Sequence, residues 1–246
     1  MPIEMFQFQL ENAQMISPRV KHFVITPTDH TIFNYQPGQF ITIHFEHQGK
    51  ILRRSYSIAN APRTDNRIEF AASYVESGPG SEYLFHLQAG DPLQISGPFG
   101  KLLLKDPPPQ RYIFLATSTG ITPYRAMLPA LQQQMHTNPN LSVVIFQGVQ
   151  KQADILYAKD FLNLAQASSR VLFRAYLSRE TPAPAPEYIH YGHLELGFAD
   201  LKLNPEQDYI YLCGNPSMID ESFDLLKNKG FSTQQIVREK YISSSK

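Results

Sequence analysis

Asp106-Pro107-Pro108-Pro109, followed by Tyr112-Ile113-Phe114-Leu115-Ala116, divides the chain into two kinds of pattern. Proline lacks a backbone N–H and cannot continue a helix or a sheet ladder, so three in a row predict a short, stiff connector. The apolar run that follows does not alternate, which is typical of a strand buried on both faces of a parallel sheet. We therefore predict two domains, residues 1–105 and 111–246, joined by a proline-rich linker at 106–110.

Before this boundary the sequence has the pattern of short strands separated by turns. Four segments are rich in aromatic and β-branched residues: 7–10, 20–25, 40–45 and 67–74. Short strands at this spacing predict a small antiparallel barrel. One helix, residues 82–87, interrupts them after Gly78-Pro79-Gly80-Ser81, with Ser81 as the expected N-cap. A tight turn is expected at 97–100.

After the boundary, strand and helix patterns alternate. Further strands are predicted at 142–146, 171–177, 209–212 and 236–237. Helices are predicted from Pro123 onward, at 155–167 and at 217–228, the last beginning at Asn215-Pro216 and ending at Gly230. Repeated alternation predicts a doubly wound parallel sheet with ligands at the carboxyl ends of its strands.

Composition narrows the possible functions. The 246 residues include 22 basic and 22 acidic ones, so no net field favours nucleic acid or an anionic membrane. A single cysteine, Cys213, excludes an internal disulfide framework and a cysteine-ligated metal centre. Histidine pairs such as His190 and His193 lack an accompanying acidic or cysteine cluster, so no metal site is expected. Without a membrane-span or signal pattern, a cytoplasmic protein is the default.

Arg54-Ser55-Tyr56-Ser57 is the most suggestive segment of the first domain. Period-two alternation puts Arg54 and Tyr56 on one strand face and the two serines on the other. A flavin nucleotide has a phosphate for the guanidinium, a flat ring for the phenol and a polar edge for a hydroxyl. An ordinary surface strand would contain the same four residues. The helix start at 78–81 offers backbone N–H groups to an anion, although a simple capped helix explains it equally well.

The predicted strand ends of the second domain are rich in small and polar residues. Thr117 to Pro123 is hydroxylic and opens a helix, but it is not the dinucleotide fingerprint G-x-G-x-x-G. The other strand ends are followed by 147–149, 178–180 and 213–216. Together these four turns predict a nucleotide crevice with Arg179 at its edge, whereas each turn alone is explained by tight-turn chemistry.

The order of the motifs resembles that of the ferredoxin–NADP⁺ reductase family, and of its bacterial branch in particular. The motifs are R-S-Y-S at 54–57, G-P-G-S at 78–81, T-G-I-T-P at 119–123, S-R-E at 178–180, Y-L-C-G-N-P-S-M at 211–218 and E-K-Y at 239–241. The resemblance spans nearly the whole chain. It implies an N-terminal antiparallel Greek-key β-barrel holding FAD, followed by a doubly wound, five-stranded parallel sheet with helices on both faces that binds NADP(H).

The resemblance also assigns roles to residues. In the FAD domain, it implies that Arg54 pairs with the pyrophosphate, that Tyr56 stacks on the isoalloxazine and that Ser57 forms a hydrogen bond near flavin N5. It also implies that Gly80 and Ser81 offer backbone and hydroxyl donors to the diphosphate. In the nucleotide domain, it implies that Thr119 and Gly120 belong to the nucleotide loop and that Ser178 and Arg179 bind the 2′-phosphate. It implies that Cys213 and Gly214 form the nicotinamide platform. Glu239 would be the C-terminal acid, and Tyr241 the aromatic residue that covers the flavin. Ser57, Cys213, Glu239 and Tyr241 form the catalytic set.

Four positions depart from the family pattern. Ser118 stands where glycine is usual and Thr122 where alanine is usual. Gln150 and His193 stand where many members carry arginine, which weakens the case for NADP over NAD. Five residues follow Tyr241, as in some bacterial members.

The function implied is an FAD-dependent reductase. It would move a hydride from NADPH to flavin N5 and single electrons to ferredoxin or flavodoxin, as a monomer that binds its carrier transiently. A related NAD(P)H reductase feeding an oxygenase, a haem protein or a free acceptor is the alternative. A third hypothesis is a non-catalytic, flavin-binding redox sensor.

Overall fold

The computed structural model describes residues 4–29 and 32–241, which form two compact units. The first unit contains the chain up to Leu103 together with the segment Thr122–Met127. The second contains Leu104–Ile121 and the chain from Leu128 onward. The residues after Tyr241, which were predicted to belong to a tail over the flavin, lie outside the described residues.

The first unit is a six-stranded antiparallel barrel. Its strands are β1 (Met5–Ser17), β2 (Val20–Pro27), β3 (Phe40–His47), β4 (Lys50–Ser57), β5 (Ile68–Ser73) and β6 (Pro92–Phe99). Their order is β4-β3-β6-β1-β2-β5, and every neighbouring pair is antiparallel. A bridge between Ile58 and Phe70 joins the two outer strands. The predicted antiparallel barrel is confirmed, and its core is built from apolar side chains that alternate inward along the strands.

The tight turn predicted at residues 97–100 is wrong, because Gly97 to Phe99 belong to strand β6. Phe40 pairs with Phe99, whereas Thr42 pairs with Ser96, so the register shifts between the two pairs. Glycine and proline therefore mark a β-bulge at this point. A β-carbon on Gly97 would lie 3.2 Å from the carbonyl oxygen of Phe40, and the residue has a φ of +140°. Glycine suits both conditions.

The second unit is built on a parallel sheet of six strands. These are β7 (Arg111–Thr117), β8 (Ser142–Val149), β9 (Val171–Leu177), β10 (Ile189–Tyr191), β11 (Asp208–Gly214) and β12 (Ile236–Lys240). Their order is β10-β9-β8-β7-β11-β12, with every pair parallel. The doubly wound parallel sheet is confirmed, with six strands instead of the five expected. The additional strand is the three-residue edge strand β10, which is too short for a clear sequence pattern.

The helices of this sheet connect its parallel strands. They are α2 (Thr122–Thr137), α3 (Ala158–Ala167), α4 (Gly197–Asp200) and α5 (Pro216–Asn228); α1 (Pro79–His86) belongs to the first unit. The chain steps from β7 to β9 in one direction and from β11 to β12 in the other. Right-handed crossovers therefore put α2 and α3 on one face and α5 on the other. Within the described residues, no helix is long and apolar enough to cross a membrane.

Candidate functional site

Arg54 and Tyr56 lie on one face of β4, as predicted, and both face the start of helix α1. A β-carbon on Gly80 would lie 2.9 Å from Cγ of Arg54 and 3.3 Å from the phenol oxygen of Tyr56. Glycine at this position therefore allows the helix backbone to approach the strand face closely. Two segments that are far apart in sequence meet here, one carrying a cation and a ring, the other the N–H groups of a helix start.

The N-cap of α1 is Gly78, so the prediction that Ser81 caps this helix is wrong. Pro79 occupies the first helical turn, which its fixed φ favours, and moves the helix start ahead of Ser81. The Ser81 hydroxyl instead accepts a hydrogen bond from the Val75 N–H at 2.8 Å. Ser81 therefore fixes the loop before the helix, and its backbone N–H, with that of Gly80, has no side-chain cap.

The Arg54 guanidinium is available to a ligand. It donates to the backbone carbonyl of Arg53 at 2.8 Å and forms no ion pair within the described residues. Burial raises the pKa of Tyr56 to about 12, so its phenol is neutral at physiological pH. Ser57 is buried at the end of β4, opposite Phe40. An available cation beside two uncapped helix N–H groups fits a diphosphate, which supports the fit of FAD to these residues.

Cys213, Glu239 and Tyr241 form a cluster of polar side chains in the second unit, which we call the Cys213 cluster. Cys213 belongs to β11, where its register partners are Ala116 on β7 and Glu239 on β12. The side chain is fully buried, and the pKa of its thiol is raised well above the usual value, first by burial and then by the Glu239 carboxylate. A hydrogen bond with the Tyr241 side chain opposes this shift. The fold thus assembles Cys213, Glu239 and Tyr241, although their chemical roles stay predictions.

Two glycines let the loops around Cys213 approach one another. A β-carbon on Gly120 would overlap the carbonyl oxygen of Cys213, and one on Gly214 would overlap the side chain of Thr117. Thr117 Oγ1 in turn accepts a hydrogen bond from the Asn215 N–H at 2.7 Å. Thr119 lies half-buried in the same loop, a 3₁₀ helix at Ser118–Ile121. The predicted nucleotide loop (Thr119 and Gly120) and the predicted nicotinamide platform (Cys213 and Gly214) are therefore in direct contact.

A backbone hydrogen bond and a helix cap fix the chain on the other side of the predicted platform. Tyr241 donates its N–H to the Gly214 carbonyl at 2.8 Å, so the end of β12 continues along β11. Asn215 caps helix α5, as predicted, accepting from the Ser217 N–H at 2.8 Å. Sequence reasoning placed Thr117 at the start of the hydroxylic turn but assigned it no role of its own. Its position at a strand end before a helix was the available signal.

Ser178 and Arg179 follow β9, three strand positions from β11 in the same sheet. With neighbouring strands about 4.8 Å apart, that separation is roughly 14 Å. The Ser178 hydroxyl donates to the Val149 carbonyl at 3.2 Å, whereas Arg179 is exposed. The site residues of this unit therefore occupy two places along one edge: the Cys213 cluster and the Arg179 region. An extended dinucleotide spans such a separation along the carboxyl ends of parallel strands.

The part of the chain that the structure describes contains no cluster of side chains that could bind a metal ion. No group of three or more histidine, cysteine or acidic side chains is arranged to hold a metal ion among residues 4–29 and 32–241.

Comparisons with known proteins agree with this architecture. Residues 7–103 match the family model of the oxidoreductase FAD-binding domain, and residues 114–223 match that of the oxidoreductase NAD-binding domain. The crystal structure of a ferredoxin NADP⁺ reductase from Neisseria gonorrhoeae, with bound FAD and NADP, has the same fold with a TM-score of 0.81. It is 22% identical, and the match covers 97% of this chain and 99% of that one.

Curated relatives match most of this chain. The reductase component of propane 2-monooxygenase from Mycolicibacterium goodii is 24% identical, with 93% of this chain and 66% of that protein covered. Ferredoxin–NADP reductase B from Sorangium cellulosum is 30% identical, with 97% of this chain and 98% of that protein covered. The chain is thus an oxidoreductase with an FAD-binding and an NAD-binding domain, and it belongs to the ferredoxin–NADP reductase family.

Proposed function

We propose that this protein transfers a hydride from NADPH to FAD and passes the electrons singly to ferredoxin or flavodoxin. The observation that carries the proposal is the assembly of Cys213, Glu239 and Tyr241 beside the Gly120 loop, in a chain that aligns along almost its whole length with a ferredoxin–NADP reductase. FAD supplies the step from a two-electron donor to a one-electron carrier.

The first unit binds and orients the flavin in this proposal. The Arg54 guanidinium and the N–H groups of Gly80 and Ser81 hold the diphosphate through charge-assisted hydrogen bonds. Tyr56 offers a neutral ring for stacking, and Ser57 offers a hydroxyl near the reacting nitrogen. The domain assignment that accompanies this proposal is residues 1–105 for FAD, 106–110 for the linker and 111–246 for NADP(H).

Cys213 acts as a neutral positioning residue for the nicotinamide. Because burial raises the pKa of its thiol well above the usual value, the group is protonated at neutral pH and is a poor nucleophile. The nicotinamide ring becomes cationic when its hydride leaves, and a negative charge beside it would stabilise it. The neutral sulfur does not supply that charge. The Glu239 carboxylate, paired in register with Cys213, is then the charged group that stabilises the oxidised ring.

We place the reaction in the cytoplasm, with the protein as a monomer that binds its carrier transiently. Steady-state reduction of a ferredoxin and a flavodoxin, with NADPH and NADH in parallel, tests the function. Reduction of a carrier with preference for NADPH supports it. Failure to reduce either carrier, with rapid reduction of an oxygenase or a small acceptor, contradicts it.

The second candidate is a reductase that feeds an oxygenase. The similarity to the reductase component of propane 2-monooxygenase favours it, although this chain covers 66% of that longer protein. The same assay separates the two candidates, because the second predicts electron delivery to the oxygenase and not to a free flavodoxin. If no acceptor supports NADPH oxidation, the result would favour the hypothesis of a non-catalytic redox sensor.

A further inference from the structure

Three neighbouring strands end together at the outer part of the parallel sheet. Strands β8, β9 and β10 are adjacent, and Val149 on β8 pairs with Leu177 on β9. The Gly192 N–H donates to the Leu177 carbonyl at 2.9 Å, which brings the end of β10 to the same edge. The residues immediately after these strands therefore form one cluster, although they are widely separated in the sequence.

The register between β8 and β9 continues beyond the strands. The N–H of Ser178 donates to the Val149 carbonyl at 3.0 Å, and the N–H of Arg179 donates to the Gln150 carbonyl at 2.9 Å. These bonds place Lys151, the residue after Gln150, beside Arg179. Adjacent strands lie about 4.8 Å apart, which is less than the length of either side chain. Both cationic ends can therefore reach a single anion.

The two cations are exposed and available. Lys151 and Arg179 are both exposed, and neither forms an ion pair within residues 4–29 and 32–241. The nearby carboxylates are occupied by the backbone: Asp154 accepts from the Lys151 N–H at 3.1 Å, and Glu180 accepts from the Gln152 N–H at 3.0 Å. The Glu180 bond joins the two loops, the Asp154 bond closes the loop after β8, and both carboxylates accept from backbone donors.

We infer that Lys151 is a specificity-determining residue of this chain, which binds the 2′-phosphate of NADPH together with Arg179. The inference rests on the proposed function, because it concerns the nucleotide used there. Position 150 holds glutamine, which is uncharged, and the exposed cation Lys151 follows it beside the loop of Arg179. This edge of the sheet therefore carries two cationic side chains.

Calorimetric titration of the FAD-loaded enzyme with adenosine 2′,5′-bisphosphate and with AMP tests this inference. The two probes differ only by the 2′-phosphate, and no turnover is needed. Lys151→Gln should weaken bisphosphate binding about tenfold and AMP binding less than twofold, the size expected for one charge-assisted contact. Lys151→Arg should keep the preference for the bisphosphate.

Lys229→Gln is the matched control. Lys229 is an exposed lysine at the C-terminal end of α5. The variant therefore makes the same charge change, but at the end of the helix that lies farther along the chain from β11. It should bind both probes like the wild type. Equal bisphosphate affinity in wild type and Lys151→Gln, with a loss in Arg179→Gln, would overturn the role of Lys151. A wild type without preference for the bisphosphate would also overturn it.

The failure of the inference can be distinguished from failure of the proposed function. If no carrier is reduced but Lys151→Gln still loses bisphosphate affinity selectively, the assignment of Lys151 stands. If a carrier is reduced with NADPH while Lys151→Gln binds normally, the proposed function stands without it.

Discussion

Gly120 lies in backbone contact with Cys213, so the loop after β7 and the end of β11 approach more closely than any side chain at position 120 would allow. A β-carbon there would overlap the Cys213 carbonyl oxygen and lie 2.9 Å from Cα of Gly214. The three nearest atoms all belong to backbone, which cannot rotate away as a flexible side chain can. The contact joins the predicted nucleotide loop directly to the predicted nicotinamide platform.

Gly120→Ala should therefore separate these two loops. We expect the second unit to lose about 1–3 kcal/mol of stability, as for other overpacked sites, and nicotinamide nucleotide binding to weaken. Urea denaturation and NADPH titration measure both effects. FAD content is the internal control, because the candidate FAD residues lie in the other unit. Unchanged stability and nucleotide binding would show that the contact relaxes without cost.

Arg54→Ala should weaken flavin binding. A charge-assisted contact contributes about 1.5–3 kcal/mol, so the dissociation constant should rise roughly 10- to 150-fold. The flavin released by heat from the wild type should be FAD by chromatography. Arg53→Ala is the matched control, because this neighbouring arginine is exposed on the other strand face. Similar losses in both variants, or FMN in the wild type, would contradict the site.

Cys213 should resist alkylation in the native protein. Its thiol is fully buried, and burial together with Glu239 raises its pKa, so little thiolate exists below pH 9. Iodoacetamide at pH 8 should modify it only after denaturation, as mass spectrometry would show. The raised pKa also means that stability falls as the pH rises above 9, because the unfolded thiol then loses its proton and the folded one keeps it. Rapid native labelling would argue against the closed cluster.

Tyr241→Ala should raise the use of NADH relative to NADPH. Tyr241 lies beside Cys213, so removing its ring opens space at the predicted platform and helps every nicotinamide equally. The predicted 2′-phosphate contacts already bring NADPH closer to the diffusional limit of kcat/KM, so the same gain in binding energy raises kcat/KM less for NADPH than for NADH. The ratio of kcat/KM values for the two nucleotides is the measurement, with Tyr241→Phe as the control that keeps the ring. An unchanged ratio would mean that Tyr241 only packs the C-terminal strand. Its predicted position over the flavin stays a prediction.

Glu69→Gln should remove part of the acid sensitivity of the first unit. Hydrogen bonds from His22 and Arg125 lower the pKa of Glu69 to about 2, against the opposing effect of burial. A depressed carboxyl pKa stabilises the fold above the unfolded value near 4.5, and this stabilisation, up to about 3 kcal/mol, is lost as the pH falls toward 2. Urea denaturation at pH 7 and pH 4 should show a smaller difference for the variant than for the wild type. Glu46→Gln, at an exposed position of the same unit, should behave like the wild type.

The sequence alone determined the division of this chain into a β-domain and an α/β-domain, because strand and helix periodicity are local properties that survive any tertiary arrangement. It also determined the start of α5 at Asn215, since a cap depends on a side chain and the N–H groups two and three residues later. The order of the motifs was enough to indicate the family.

Only the tertiary structure decided which distant residues meet. The bulge in β6 could not be distinguished from a turn, because its glycine and proline serve both, and only pairing with Phe40 makes it a strand. Glu239 pairs with Cys213 through the register of two parallel strands, and backbone hydrogen bonds after β8 and β9 bring the loops that carry Lys151 and Arg179 together. Registers of this kind are set by the packing of whole faces against helices, and no local pattern encodes them.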